Sequence, residues 1–160
     1  MGNFMLLFIA LFVWLGAESE ANFAQVKSAL GDARVRQAMI TRFRALSPMD
    51  TLSAAVEDIV TGFQQDFLVV DDTGRVVGIL TYAGLIKALT EHGPQGRIGD
   101  AMTHEFETCG PDEPLEHVMP KLQASPTPTF PVIDNGGLIG MLTLHNLSEF
   151  VMVRGAIQRA

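Results

Sequence analysis

Two threonines, Thr81 and Thr143, occupy the same place in two similar stretches of the chain. Each follows a short apolar run (VVGIL and LIGML) and opens a segment with helical spacing. A hydroxyl at such a junction, beside the free N–H groups of a first helical turn, makes a point that attracts anions. The same threonine also serves as a plain helix cap that needs no ligand. Both readings stand on the local sequence. Other candidates carry less. His104-Glu105 opens like a zinc-protease helix, but that motif needs a second histidine where Thr108 stands. His92, His104, His117 and His145 show no ligand spacing. Asn146-Leu147-Ser148 matches a glycosylation sequon but falls inside a predicted helix, and we read it as chance. The single cysteine, Cys109, excludes an internal disulfide, fits a reducing compartment, and reads as a small packed residue rather than a nucleophile. With no P-loop, nucleophile elbow or carboxylate pair, the chain is not expected to be an enzyme.

The elements that position the threonines are written twice. VRQAM, LSPMDTL and QDFLVVDDTGRVVGILTYAGL return as IGDAM, CGPDEPL and PTFPVIDNGGLIGMLTLHNL. Met39 and Met102, Pro48 and Pro111, and Val69 and Val132 are each 63 positions apart, whereas Gly78 and Gly140, and Thr81 and Thr143, are 62 apart. One residue is lost in the second hairpin turn. Two copies are too few for a solenoid, so a pseudo-symmetric domain with clefts between its copies is expected. Each copy reads as strand–helix–strand–strand–helix, an α+β pattern. Phe43 to Leu46 and Phe106 to Cys109 are the opening strands, ended by Pro48 and Pro111. Asp50 is the expected cap of a helix striped by Leu52, Val56, Ile59 and Phe63. Its counterpart carries Leu115, Val118, Met119 and Leu122, with Pro114 near its first turn and Pro120 expected to shorten or bend it. DDTGR and DNGG are hairpin turns. The helix after Thr81 should stop at His92-Gly93-Pro94. The one after Thr143 should run to about Ile157, packing through Leu147, Phe150, Val151 and Val153.

A chain of 160 residues with 48% apolar content is about one domain's worth. The net charge of −7 is uneven: residues 1–44 carry five basic and three acidic side chains, the remainder six and fifteen. That acidic body argues against a nucleic-acid partner. Phe4 to Ala17 holds no charge and is apolar on every side. As a helix it would span roughly 21 Å, short of the ~30 Å hydrocarbon layer. The expectation is the end of a transmembrane helix, with Lys27, Arg34 and Arg36 as its cytoplasmic flank. A signal peptide, lacking a basic start, and a buried core helix are the alternatives.

The paired h-x-x-A-M, S/G-P, P/L-V-h-D and G-h-h-T-x-x-x-L patterns resemble a CBS-domain pair, the Bateman module, from Val35 to about Ile157. The resemblance implies a regulatory module that takes AMP, ADP, ATP or S-adenosylmethionine between its copies and forms a homodimer. The implied contacts are Thr143, Asn146, Pro131 and Val132 in one half-site and Thr81 and Val69 in the other. Nucleotide-binding copies carry an aspartate three residues after the threonine, for the ribose hydroxyls. Gly84 and Asn146 stand there instead. Glycine offers no acceptor and asparagine only a neutral one, so the Thr143 half-site is the expected survivor. Pro131 should also stiffen the strand against which an adenine would stack, where the first copy has Leu68. The apolar segment followed by a CBS pair resembles the end of site-2-protease-type membrane zinc metallopeptidases, with catalytic helices outside this chain. That resemblance implies the cytoplasmic face of a bacterial-type inner membrane. The domain reading is an apolar helix at 1–17, a linker helix at 18–34, and CBS repeats at 35–97 and 98–160. The rival function is a degenerate pair that serves only as a structural dimerisation scaffold.

Overall fold

Two antiparallel hairpins lie at the centre of the molecule. The computed structural model describes residues 30–62 and 64–158. Its elements are α1 (Val35–Ala38), α2 (Leu52–Thr61), β1 (Phe67–Val70), β2 (Val76–Leu80), α3 (Tyr82–His92), α4 (Ile98–Ala101), α5 (Leu115–Ala124), β3 (Thr129–Asp134), β4 (Gly137–Thr143) and α6 (Leu144–Gln158). β1 pairs with β2 and β3 with β4, with a register shift at Val69/Val70 in one hairpin and Val132/Ile133 in the other. Asn135 and Gly136 close the second hairpin with φ of 48° and 81°, the left-handed pair a two-residue turn requires. In the longer first turn, Asp71 Oδ1 accepts from the Thr73 hydroxyl at 2.6 Å and the Thr73 and Arg75 N–H groups at 2.9 and 3.0 Å. The Thr73 hydroxyl above all holds the Asp71 carboxyl below its ordinary value. The fold is the expected α+β pair of repeats.

The two copies exchange their openings. Val35 and Ala38 of α1 pack with Leu115, Val118, Phe130, Leu142 and Leu147 of the second copy, together with Leu30 and Ala33. Ile98 of α4 packs with Leu46, Leu52, Phe67, Leu80 and Leu85 of the first. Backbone hydrogen bonds repeat the exchange rung for rung. Leu52 N–H donates to Gly96 O at 2.8 Å and Leu115 N–H to Ala33 O at 2.9 Å; Ile98 N–H donates to Asp50 O and Val35 N–H to Glu113 O, both at 3.0 Å. Beyond each opening helix the chain pairs with the hairpin of the other copy: Ile40 with Met141 and Thr103 with Ile79. Glycine makes room for these crossings. A Cβ on Gly78 would lie 2.5 Å from Met102 Sδ and 2.9 Å from Thr103 O; one on Gly140 would lie 3.0 Å from both Met39 Sδ and Ile40 O. A third cluster, Leu68, Ile79 and Met141, seals the hairpins against each other.

Several local expectations are corrected. The opening strands shrink to single parallel bridges, Leu46 to Val69 and Cys109 to Val132, because Pro48 and Pro111 follow almost at once. Thr51, not Asp50, is the N-cap residue of α2; the Asp50 carboxylate instead accepts from Ser47 N–H at 2.8 Å. The first N–H groups of α2 are taken by Gly96 O and Pro94 O, so no side-chain cap is needed. Pro120 does not shorten α5, which has 10 residues like α2. Val153 is 60% exposed, as are Met152 and Ile157 to similar degrees, so it is not a packing position. The short helices α1 and α4 were not foreseen in h-x-x-A-M. α3 does stop at Gly93, whose φ is 70°. Phe63, the 4–17 segment and most of the linker helix lie outside the described residues. Among the described residues no helix is long and apolar enough to cross a membrane.

Candidate functional site

α3 and α6 leave the hairpins at equivalent points, and their caps are alike. Thr81 Oγ1 accepts from Gly84 N–H at 3.1 Å, and Thr143 Oγ1 from Asn146 N–H at 3.0 Å. Both threonines are therefore N-caps in fact. What surrounds them differs. Asp66 places Oδ1 3.0 Å from the N–H of Tyr82, the first residue of α3, and Oδ2 2.7 Å from the hydroxyl of Thr129. The start of α3 thus has a carboxylate supplied by the chain itself, where the dipole favours negative charge. The residue equivalent to Asp66 in the second copy is the neutral Thr129, and the first N–H of α6 donates to Pro128 O at 2.9 Å.

A cleft of about 850 Å³ opens at the start of α6, within the range of small-molecule sites. Thr143, His145, Asn146 and Glu149 line one side. Arg42, Phe43 and Arg44, from the stretch that crosses over after α1, line another, and Asp58, Thr61, Gln64 and Asp66 a third. Ile40 contributes apolar surface, with the buried Phe67 and Met141 lying beneath it. Gln64 fixes the wall: its Oε1 accepts from Arg44 N–H at 2.8 Å, and its Nε2 donates to Arg44 O at 2.8 Å and Asp66 O at 2.9 Å. Arg44 pairs with Asp58 Oδ1 at 2.9 Å, leaving Oδ2 of Asp58 buried without a hydrogen-bond partner among the described residues. Arg42 makes no ion pair among the described residues and is exposed. The Asn146 side chain reaches across to donate to Ala38 O. Polar groups of both signs and an apolar floor converge here from both copies.

Of the residues named from sequence, Thr143 and Asn146 share this cleft, while Thr81 and Gly84 lie at the other helix start. Val69 and Val132 are fully buried in the two cores, and neither they nor the buried Pro131 line it. Arg42, Arg44, Asp58, Gln64 and Asp66 were missed. The signal was present as broken repeats, since Arg44 and Asp58 align with Glu107 and Lys121, and Asp66 with Thr129, each at 63 positions. Cys109 is buried, and burial pushes its thiol up to about 12, with Glu113 adding to the rise. It holds no thiolate at neutral pH. Among the described residues no three His, Cys, Asp or Glu side chains are grouped to hold a metal.

Fold and cleft together define a two-copy α+β module with a pocket at the seam between its halves. The chain belongs to the CBS domain family, whose profile matches residues 35–91 and 98–153. It is 29% identical over 121 residues to an L-aspartate semialdehyde sulfurtransferase of Methanosarcina acetivorans, covering 75% of this chain but 24% of that one. The chain thus spans about a quarter of that curated relative's length. Among solved structures it resembles CBSX2 in complex with AMP, at 26% identity and a TM-score of 0.64, covering 79% of this chain and 97% of that one. It shares the fold of the CBS domain pair of protein MJ0100 in complex with 5-methylthioadenosine and S-adenosyl-L-methionine, at 22% identity and a TM-score of 0.65, covering 76% and 98%.

Proposed function

We propose that this CBS pair is a regulatory, non-catalytic module that binds one adenosyl ligand, AMP or S-adenosylmethionine in type, in the cleft at Thr143 and Asn146. The observation that carries the reading is the asymmetry of the two helix starts. The first N–H of α3 is already taken by the Asp66 carboxylate, whereas the start of α6 holds no carboxylate of its own and opens onto a cleft of ligand size, with Asp66 in the facing wall. Its wall offers Arg42, which makes no ion pair among the described residues, to an anionic group and the half-buried Ile40 and Phe43 to a base. The ligands named for CBSX2 and the MJ0100 pair support the chemical class. The ligand would act by favouring one arrangement of the two copies, since it touches both. In the same proposal the apolar 4–17 segment attaches the module to the cytoplasmic face of a membrane, as part of a site-2-protease-type metallopeptidase. The exposed Met152, Val153 and Ile157 of α6 would join two copies in a homodimer.

Calorimetry and thermal shift with AMP, ADP, ATP and S-adenosylmethionine test the reading, because a ligand that binds only the folded state raises its melting temperature. Thr143→Val should weaken binding and Thr81→Val should leave it intact. The reverse pattern assigns the ligand to the helix start at Thr81. A second reading, a scaffold without ligand, draws on the Asn146 amide being already committed to Ala38. Failure of all four ligands to bind would favour it.

A further inference from the structure

Asn146 joins the cleft to the beginning of the described chain. Its Nδ2 donates to the carbonyl of Ala38, the last residue of α1 and 108 positions away in sequence. In the other half the equivalent carbonyl is that of Ala101, 3.6 Å from where a Cβ on Gly84 would sit, and glycine extends nothing toward it. The side-chain bond to the opening helix is thus made in one half and not in the other. An amide suits it where a carboxylate does not, because a carboxylate would set two acceptors face to face. The Asn146 Oδ1 has no hydrogen-bond partner among the described residues.

α1 has 4 residues, too few to hold a helix by its own hydrogen bonds, so its anchoring contacts decide whether it stays. Downstream, Met39 passes beneath Gly140, Ile40 pairs with Met141, and Arg42 to Arg44 enter the cleft wall. Upstream, α1 follows directly on Ala33 and Leu30, both buried in the second core. We propose that Asn146 is a ligand-responsive latch: it pins the end of α1 in the ligand-free protein and releases it when a ligand hydroxyl takes its amide. Ligand release of α1 rests on the reading of the cleft as an adenosyl site; the pinning does not. The latch gives that site its output, a change in how firmly the chain preceding Ala38 is held.

Hydrogen–deuterium exchange on the full chain tests both parts. In ligand-free protein, Asn146→Ala should raise exchange at Met39 and Ile40 about fivefold, the size of one lost hydrogen bond. Asn146→Asp, which keeps the shape and loses the donor, should do the same, and Thr81→Val should not. Unchanged exchange in both Asn146 variants overturns the latch. With calorimetry showing AMP or S-adenosylmethionine bound, exchange at these two residues should rise in the wild type by a similar factor. It should rise no further in the Asn146 variants. Binding without that rise overturns the release step alone. No binding by either ligand overturns the cleft reading and the release together, while the ligand-free arm still decides whether Asn146 pins α1.

Discussion

Asp66 joins the two copies through one side chain, and its removal is expected to be costly in a decomposable way. Asp66→Ala takes the acceptor from Thr129, which is 0% exposed, and leaves that hydroxyl buried without a partner. Such an orphan costs about 1–3 kcal/mol. It also takes the carboxylate from the start of α3, a further ~0.3–1 kcal/mol, while the freed N–H of the exposed Tyr82 turns to water. Together these give a loss of about 1–4 kcal/mol. Thr129→Val alone should cost about 1 kcal/mol, because the half-buried Asp66 still reaches solvent and still bonds Tyr82. In the double variant no hydroxyl is stranded, so its loss should fall short of the sum by about 1–2 kcal/mol. Urea unfolding of the four proteins closes the cycle. Strict additivity, or an Asp66→Ala loss below about 0.5 kcal/mol, would refute the bridge.

Gly78→Ala should lose about 1–3 kcal/mol in the same assay, because its Cβ meets the backbone oxygen of Thr103, and Gly140→Ala should lose less. The opposite order would show that the Met102 crossing yields more easily than the geometry allows. Cys109 should resist thiol-labelling reagents at pH 8 in the native protein and react only as the protein unfolds, since its folded thiol is held at about 12. For Asp71 the folded carboxyl lies below its ordinary 3.8, so its stabilisation is complete above that value and is lost as pH falls through the lower folded one. Thermal melts should therefore show a gap between wild type and Asp71→Asn at neutral pH that closes in acid.

The offset between the copies made the hairpins, the long helices and their threonine caps legible, because each signal occurs twice and each is local. Gly93 ends α3 for a reason residing in its own backbone, and Asn135-Gly136 turns likewise. What escaped was non-local. Four residues of VRQAM carry Val35 and Ala38 on one side, and nothing in them tells which copy's core that side fills. The α2 cap went to carbonyls 44 and 41 residues downstream of Leu52 and Ser53 rather than to the adjacent Asp50, which the capping rule favours. In the site, the pattern pointed to residues that match between copies. The side chains that shape the cleft, Arg44, Asp58 and Asp66, are those that do not match, and a broken repeat reads as noise until the fold brings both ends together. From the sequence Asn146 is a weakened acceptor, whereas in the structure its amide acts first as a donor.

The exchanged openings also set an order of assembly. The first core draws on the continuous stretch from Leu46 to Ile98, whereas the second needs Leu30 to Ala38 joined to Cys109 through Leu147 across everything between. Bringing Val35 to Leu147 in an unfolded chain closes a loop of roughly 110 residues, an entropic cost met before any contact repays it. Once the first core has formed, that intervening chain is compact and the remaining search is short. Leu52→Ala should then slow folding, and Leu147→Ala should chiefly hasten unfolding, a contrast visible in the two arms of a chevron plot.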